Sequence, residues 1–489
     1  MRLSNDASYL KSWSAYIAAF LGLAVFYLLA ADRRVGVYDE GLVLTDALRV
    51  MHGLVPHRDF YYNYGPGKIY LLAGIFKVFG LSVYASRIFS ASAGAFLILT
   101  VFAVVKRFTS TWAGIICAAL AIVWPLWAPW SLLIALMLWS TALLSEAQKT
   151  PLIFAGILAG IATLLRYDMG GVGMIACHLL TLAFIRRSVL PYLGGCALIL
   201  VPVSAFYVRD HVVRDFVFDI FVYTDKHYRA ARALPFPGKY SLSANFVAYL
   251  VPIVLCIALY TILRNRKLTP LLPFTLLAAM TYAKGLVRID PPHLMPAVVT
   301  SIVVLGLLYK SIPWSNIVAG FFLMFAVAAC IPLIYQRQKH ATPPQAGWCT
   351  DRNPITRDRC YTLDADHIRV VEFLEAHSHP NDTLYVGLPD HDRIYINDNV
   401  TYFATRLLPA TKWSQFDPFL QNSAPIQREM IADLDRNQPP YVVLDSEFDH
   451  DSEPNGSSMH TGVHLLDDYI RARYIRVQSY GGMTILRRH

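Results

Sequence analysis

The sequence predicts a polytopic α-helical membrane protein of about eleven transmembrane helices, with interfacial helices in its first outer loop and a small C-terminal α/β domain. Three observations predict it. The chain of 489 residues is 55% hydrophobic and only 16% charged, whereas a soluble chain carries about a quarter charged residues. Apolar runs long enough to cross a bilayer recur as far as residue 335, and beyond it the composition turns polar.

A hydrocarbon core of roughly 30 Å asks for about 17 to 25 apolar residues per helix. Such runs fall at 13–31, 84–105, 112–128, 130–146, 151–166, 169–185, 189–208, 243–263, 268–284, 293–310 and 314–335. The first is too long for a signal-peptide core and no small-residue cleavage site follows it, so it reads as a retained helix. Prolines at Pro125 and Pro129 make the third and fourth runs a tight hairpin. Residues 1–335 are therefore expected to form a membrane-embedded domain and residues 336–489 a separate soluble α/β domain.

Two polar stretches interrupt the membrane pattern. In the first outer loop, 32–83, the segment from Pro66 to Phe79 is apolar but short and carries Lys68 and Lys77, which suits an interfacial helix with snorkelling lysines. The second, 209–241, alternates aromatics with charges and reads as another interfacial helix pair, either a lipid-facing cuff or a wall of a substrate cleft.

The net charge of +9 raises the question of nucleic acid, but the basic residues sit in short clusters between apolar runs, as loops of a membrane protein do. With the amino terminus inside, the inner loops hold Lys106, Arg107, Lys149, Arg186, Arg187, Arg264, Arg266, Lys267 and Lys310 and few acids. That orientation gathers Asp39-Glu40, Arg166-Tyr167-Asp168, the 209–241 segment, Arg288-Ile289-Asp290 and the tail on the outer face. Within the tail, helices are expected over 366–377, 426–437 and 464–474, strands over 383–388 and 441–445, and a closing strand pair over 474–488. No glycine-rich phosphate loop accompanies them. Of seven cysteines, five lie in apolar runs, and only Cys349 and Cys360 lie in a polar segment, where an oxidising compartment would allow a disulfide.

The chemistry concentrates after the first helix. Moving a sugar from a phosphate leaving group to a hydroxyl needs a carboxylate that takes the acceptor proton, and Asp39 is the candidate. Glu40 can orient it or hold a divalent metal such as Mg, Mn or Zn. The same acidic pair also complements the dipole of a helix beginning at that point, and both readings can hold together. Lys68 follows the Gly65-Pro66-Gly67 turn, with Arg58 and the tyrosines Tyr61, Tyr62 and Tyr64 nearby; they can contact phosphate and sugar, or form an interfacial belt. Arg166 and Asp168 flank a short turn, as a substrate contact or a salt bridge. Arg288, Asp290 and His293 form R-x-D-P-P-H, in which Asp290 can cap a helix opened by two prolines while Arg288 and His293 converge on an anion.

Taken together, the acidic pair, G-x-x-P-x-x-D-F from Gly53 to Phe60, Y-G-P-G-K-x-Y from Tyr64 to Tyr70, F-G-L-S before Arg87 and R-x-D-x-x-H at Arg288 resemble the GT-C superfamily. The likeness is greatest to bacterial protein O-mannosyltransferases and lipid A aminoarabinose transferases. It implies a bacterial inner-membrane enzyme with an extracytoplasmic site, a polyprenyl-phosphate-linked sugar as donor, a lipid, polysaccharide or protein of the envelope as acceptor, inversion at the anomeric carbon, Asp39 as base and Lys68 on the donor phosphate. Alternatives of another class are a transporter or flippase for lipid-linked sugars and an inactive assembly scaffold. A flippase predicts internal inverted repeats, and none is evident.

Overall fold

The computed structural model of the chain describes residues 3–126, 130–146, 148–234, 242–264, 271–309, 350, 352–357 and 361–489, with single positions between 317 and 335. The expected span 314–335 and the Cys349/Cys360 pair lie largely or wholly outside the described residues. The chain separates into two units: residues 1–31, 87–205 and 235–339 form one, and residues 32–86, 206–234 and 340–489 the other. The second unit is therefore discontinuous, gathering both polar stretches with the tail, where hydropathy along the chain divides it at 335.

Helices follow the apolar runs. They are α1 (Leu3–Leu29), α2 (Asp39–Met51), α3 (Gly67–Phe79), α4 (Val83–Phe108), α5 (Thr111–Ala121), α6 (Ser131–Leu144), α7 (Lys149–Leu165), α8 (Met174–Phe184), α9 (Leu190–Arg209), α10 (Val213–Val217), α11 (Arg229–Arg232), α12 (Leu242–Arg264), α13 (Leu271–Gly285) and α14 (Pro291–Leu308). Three described helical stretches, Val83–Phe108, Tyr167–Phe184 and Leu190–Arg209, are long and apolar enough to cross a membrane, and six others are apolar but shorter. α5 ends sooner than its hydropathy suggests because Pro125 cannot donate to a continuing helix; a 3₁₀ turn, Trp124–Leu126, replaces it. The run expected at 169–185 is likewise divided. Its glycine-rich start, Tyr167–Gly173, forms a π-helix before α8 begins, and such widened turns recur at functional positions.

The first unit packs like a membrane bundle. Its helices expose large apolar side chains such as Leu21, Leu198 and Leu263 while small residues permit backbone contact inside. Where α7 meets α9, a Cβ on Gly156 would lie 2.0 Å from the Tyr192 carbonyl, and one on Gly195 2.1 Å from that of Ile153. Beside this seam His178 is buried between the Thr141 hydroxyl at 2.9 Å and the Tyr192 hydroxyl at 3.0 Å. Polar groups thus join three helices where no water is available.

In the second unit the tail folds as α15 (Ala365–His377), β1 (Thr383–Gly387), α16 (Val400–Thr405), β2 (Leu408–Pro409), α17 (Ala424–Asn437), β3 (Tyr441–Asp445), α18 (Leu465–Arg473), β4 (Tyr474–Tyr480) and β5 (Met483–Arg488). The five-stranded sheet has the order β2-β1-β3-β5-β4. β1 runs parallel to β2 and β3, and the β3–β5 and β5–β4 pairs are antiparallel. Onto this domain the first loop is fastened by backbone bonds: Val35 N donates to Thr362 O at 3.0 Å, and Val400 N to Val37 O at 3.1 Å. The 206–234 stretch is fastened by side chains. Arg232 donates to Tyr395 O and to Asp417, Tyr223 donates to Pro418 O, and His57 meets Asp219 at 3.0 Å. Instead of a helix pair, residues 213–232 form one run of short α and π pieces.

The α7–α9 seam leaves no room for a side chain. Gly156→Leu should lower the thermal midpoint of the detergent-solubilised protein by several degrees, the overpacking cost being about 1–3 kcal/mol or more, whereas Gly194→Leu, with open space around its Cα, should leave it within a degree or so. Equal midpoints for the two variants would contradict the seam.

Candidate active site

Asp39 and Glu40 open α2, where their charges meet the positive end of the helix dipole. The two carboxylates are used differently. Glu40 Oε2 accepts the backbone N–H of Gly36 at 2.9 Å, closing the turn that leads into the helix. Asp39 is exposed, and among the described residues no hydrogen bond or ion pair holds it.

Helix α3, which packs against α2, places Lys68 at its first turn. Pro66 stands at the N-cap without a side-chain hydrogen bond, and the first-turn N–H groups of an α-helix have no partner within the helix. Lys68 is partly buried. Burial pulls its ammonium below the usual lysine range, and the charges of Asp39 and Glu40 pull in the opposite direction. The structure therefore brings Asp39, Glu40 and Lys68 into one electrostatic group, although Lys68 forms no direct ion pair among the described residues. An ammonium beside free helix N–H groups is a ready anion site.

Other candidates of the first loop are placed differently. Arg58 is exposed and bonded to both oxygens of Asp59, at 2.9 and 2.8 Å, with Asp210 at 3.7 Å. Asp59 also accepts Val55 N at 2.7 Å, so the pair braces the turn that ends in Phe60. Tyr61 and Tyr62 are buried, and Tyr61 donates to Asp417 at 3.1 Å. Tyr64 is partly exposed and stands edge-on to Tyr62, 5.9 Å between ring centres. Of the three tyrosines it alone keeps accessible surface for a ligand.

Arg166, Asp168, Arg288, Asp290 and His293 belong to the first unit. Arg166 holds Asp168 with two bonds, at 2.7 and 3.1 Å, and lies over the Trp130 ring at 4.1 Å. Lys284, from the last turn of α13, adds a third contact to Asp168 at 2.9 Å. Sequence reading passed over Lys284; a lysine closing an apolar run is usually a snorkelling one, and only the fold reveals its partner. One turn later Asp290 caps α14, accepting His293 N at 2.9 Å, and meets the His293 ring at 2.6 Å and Arg288 at 3.0 Å. Burial would raise the Asp290 carboxyl, but the His293 bonds and the Arg288 charge outweigh it and hold the group below the ordinary range.

As for a metal at the acidic pair, one Glu40 oxygen is committed to Gly36, and among the described residues no further His, Cys, Asp or Glu completes a set with Asp39 and Glu40. Two adjacent carboxylates alone do not make a protein-only cage.

Residues 63–208 match the family of dolichyl-phosphate-mannose-protein mannosyltransferases. The fold is similar to ArnT from Cupriavidus metallidurans bound to undecaprenyl phosphate, with a TM-score of 0.61 and 12% identity over 97% of this chain and 98% of that one. The apo state of ArnT from Cupriavidus metallidurans gives a TM-score of 0.59 at 13% identity over the same shares. No curated protein matches the sequence.

Asp168 is the single acid shared by two cations, so its loss should cost more than the loss of either. Asp168→Asn is expected to destabilise the protein by about 1–2 kcal/mol and Lys284→Ala by less, read as thermal midpoints in detergent. A larger loss for Lys284→Ala would show that the cluster is not organised around the carboxylate.

Proposed function

We propose that this GT-C-fold glycosyltransferase moves a sugar from a polyprenyl-phosphate donor to a hydroxyl of an envelope acceptor, with inversion, on the extracytoplasmic side of a bacterial inner membrane. The observation that carries the proposal is the electrostatic proximity of Asp39, without a bond among the described residues, to the partly buried Lys68. The family matched by residues 63–208 and the solved fold with a bound polyprenyl phosphate support the same substrate class.

In this reading the donor phosphate lies against Lys68 and the first-turn N–H groups of α3. The Asp39 carboxylate takes the proton of the acceptor hydroxyl as its oxygen attacks the anomeric carbon. The glycosidic C–O bond to phosphate breaks, and its electron pair leaves with the polyprenyl phosphate. Charge that builds on the leaving oxygen is met by the partly buried Lys68 ammonium, and a preorganised donor of this kind contributes several kcal/mol. Glu40 keeps the turn before α2 closed through Gly36, and so acts on the position of Asp39 instead of on the proton.

The roles separate by substitution. With undecaprenyl-phosphate-linked sugars as donors, Asp39→Asn should reduce transfer by about 10²- to 10⁴-fold with no change in undecaprenyl phosphate affinity or thermal midpoint. Lys68→Ala should weaken undecaprenyl phosphate binding at least about tenfold, with Lys68→Arg intermediate, since a cation–phosphate contact is worth roughly 1.5–3 kcal/mol. Transfer by Asp39→Asn at near the wild-type rate would refute the base assignment; unchanged lipid-phosphate affinity in Lys68→Ala would refute the donor site.

A further inference from the structure

The tail domain contains a second cluster of ligating side chains, remote in sequence from the acidic pair. β1, β2 and β3 are parallel, and the chain leaves β1 toward β2 on one side and returns to β3 on the other. In an open sheet of this kind, the crevice beyond the carboxyl ends of the strands, where the order reverses, is where ligands bind. Asp445 is the last residue of β3, and Glu447 follows two positions later. Helix α15 leads into β1, so its amino end comes back to the same edge and brings His367 there. The ligating atoms of His367, Asp445 and Glu447 lie within 4.8 Å of one another.

Their environment is not that of a satisfied polar patch. His367 is 2% exposed and Asp445 1%. Asp445 Oδ1 accepts Glu447 N at 2.9 Å, yet Oδ2 has no hydrogen-bond partner. His367 Nδ1 is 2.6 Å from Asp364 and Nε2 3.5 Å from Asp398, but neither nitrogen makes a hydrogen bond. Asp398 is already engaged by the N–H groups of Val400 and Thr401 and by the Thr401 hydroxyl. Asp364 lies against the Nδ1 side of His367, and a metal-bound imidazole characteristically has a carboxylate beside its other nitrogen. A buried carboxylate oxygen without a donor is costly, and a bound cation would answer it.

We infer that His367, Asp445 and Glu447 form a divalent-cation site at the carboxyl edge of the sheet. One nitrogen and two carboxylate oxygens suit a borderline cation, zinc above all, with water completing a tetrahedron. Asp364 stands behind the imidazole. Glu447 is exposed and provides the entry for the ion. The cation joins α15, the end of β3 and the turn after it, three pieces that no disulfide links among the described residues.

The experiment uses the full chain purified in detergent, stripped with a chelator, reloaded with zinc alone and desalted, with metal content read by mass spectrometry and the thermal midpoint recorded with and without zinc. About one ion per chain should be retained, with a rise in midpoint that the chelator reverses. Glu447→Gln, at an exposed position, should fold with the midpoint of the zinc-free wild type and lose most of its zinc affinity, since one of three protein ligands is removed; His367→Gln should bind none. The double variant Asp39→Asn/Glu40→Gln should retain the ion. Wild-type protein that keeps no zinc would mean that the imidazolium and its acids satisfy the pocket alone, and the inference fails. It fails equally if Glu447→Gln retains zinc as wild type does, or if the ion is lost only in the 39/40 double variant.

Discussion

Arg49 is the side chain on which the geometry of the acidic pair depends. It is 2% exposed beneath α2, facing Asp46 at 3.4 Å, donating to Ser414 Oγ and Thr411 O at 2.9 Å each, and lying 4.9 Å from the centre of the Phe60 ring. Partners for a buried guanidinium offset its desolvation, and the bonds from both terminal nitrogens of Arg49, whose Nε has none, favour one seating of α2 on the tail domain. Thr45, donating to Asn399 O at 2.7 Å, and Gly41, whose Cβ would lie 2.5 Å from Val400 N, fix the same helix one and two turns earlier. Asp39 therefore sits at the end of a helix that is rigid because it belongs to a soluble core, though in sequence it follows directly on an apolar segment.

That dependence explains what could be read in advance. Apolar runs declare themselves locally, and so do the alternating helices and strands of the tail, because each repeats a period that burial imposes on one face. The cap at Asp290 was legible for the same reason: acid, two prolines and a helical run are contiguous. What escaped was set by distant partners. Nothing near Arg49 or Arg232 announces that their acceptors are more than a hundred residues away, and Asp445 reads as an ordinary strand end until His367 is placed beside it. Hydropathy along the chain cannot say that residues 32–86 and 206–234 fold with the tail, since a discontinuous unit has no signature in any single window.

The local conflicts are also informative. Residues 169–173 fall within an apolar run, yet with Tyr167 and Asp168 they form a widened turn. Arg58 has the charge and the neighbourhood of a phosphate ligand, yet spends both forks on Asp59. In each instance a group that looks available in sequence is committed in three dimensions, and the residues left without a commitment become correspondingly conspicuous.

Lys68 is the clearest of these. A cation at the amino end of a helix opposes the dipole, at a cost of about 0.3–1 kcal/mol, and partial burial adds to it. Replacing it by an uncharged residue would relieve both terms, so the folded state alone supplies no reason for a lysine there. Asp39 and Glu40 offset part of the cost by charge, without a bond to Lys68. A bound phosphate would be favoured by the dipole, the first-turn N–H groups and the ammonium, and opposed by the charges of Asp39 and Glu40. In the proposed reading the donor phosphate is the anion that such a lysine favours.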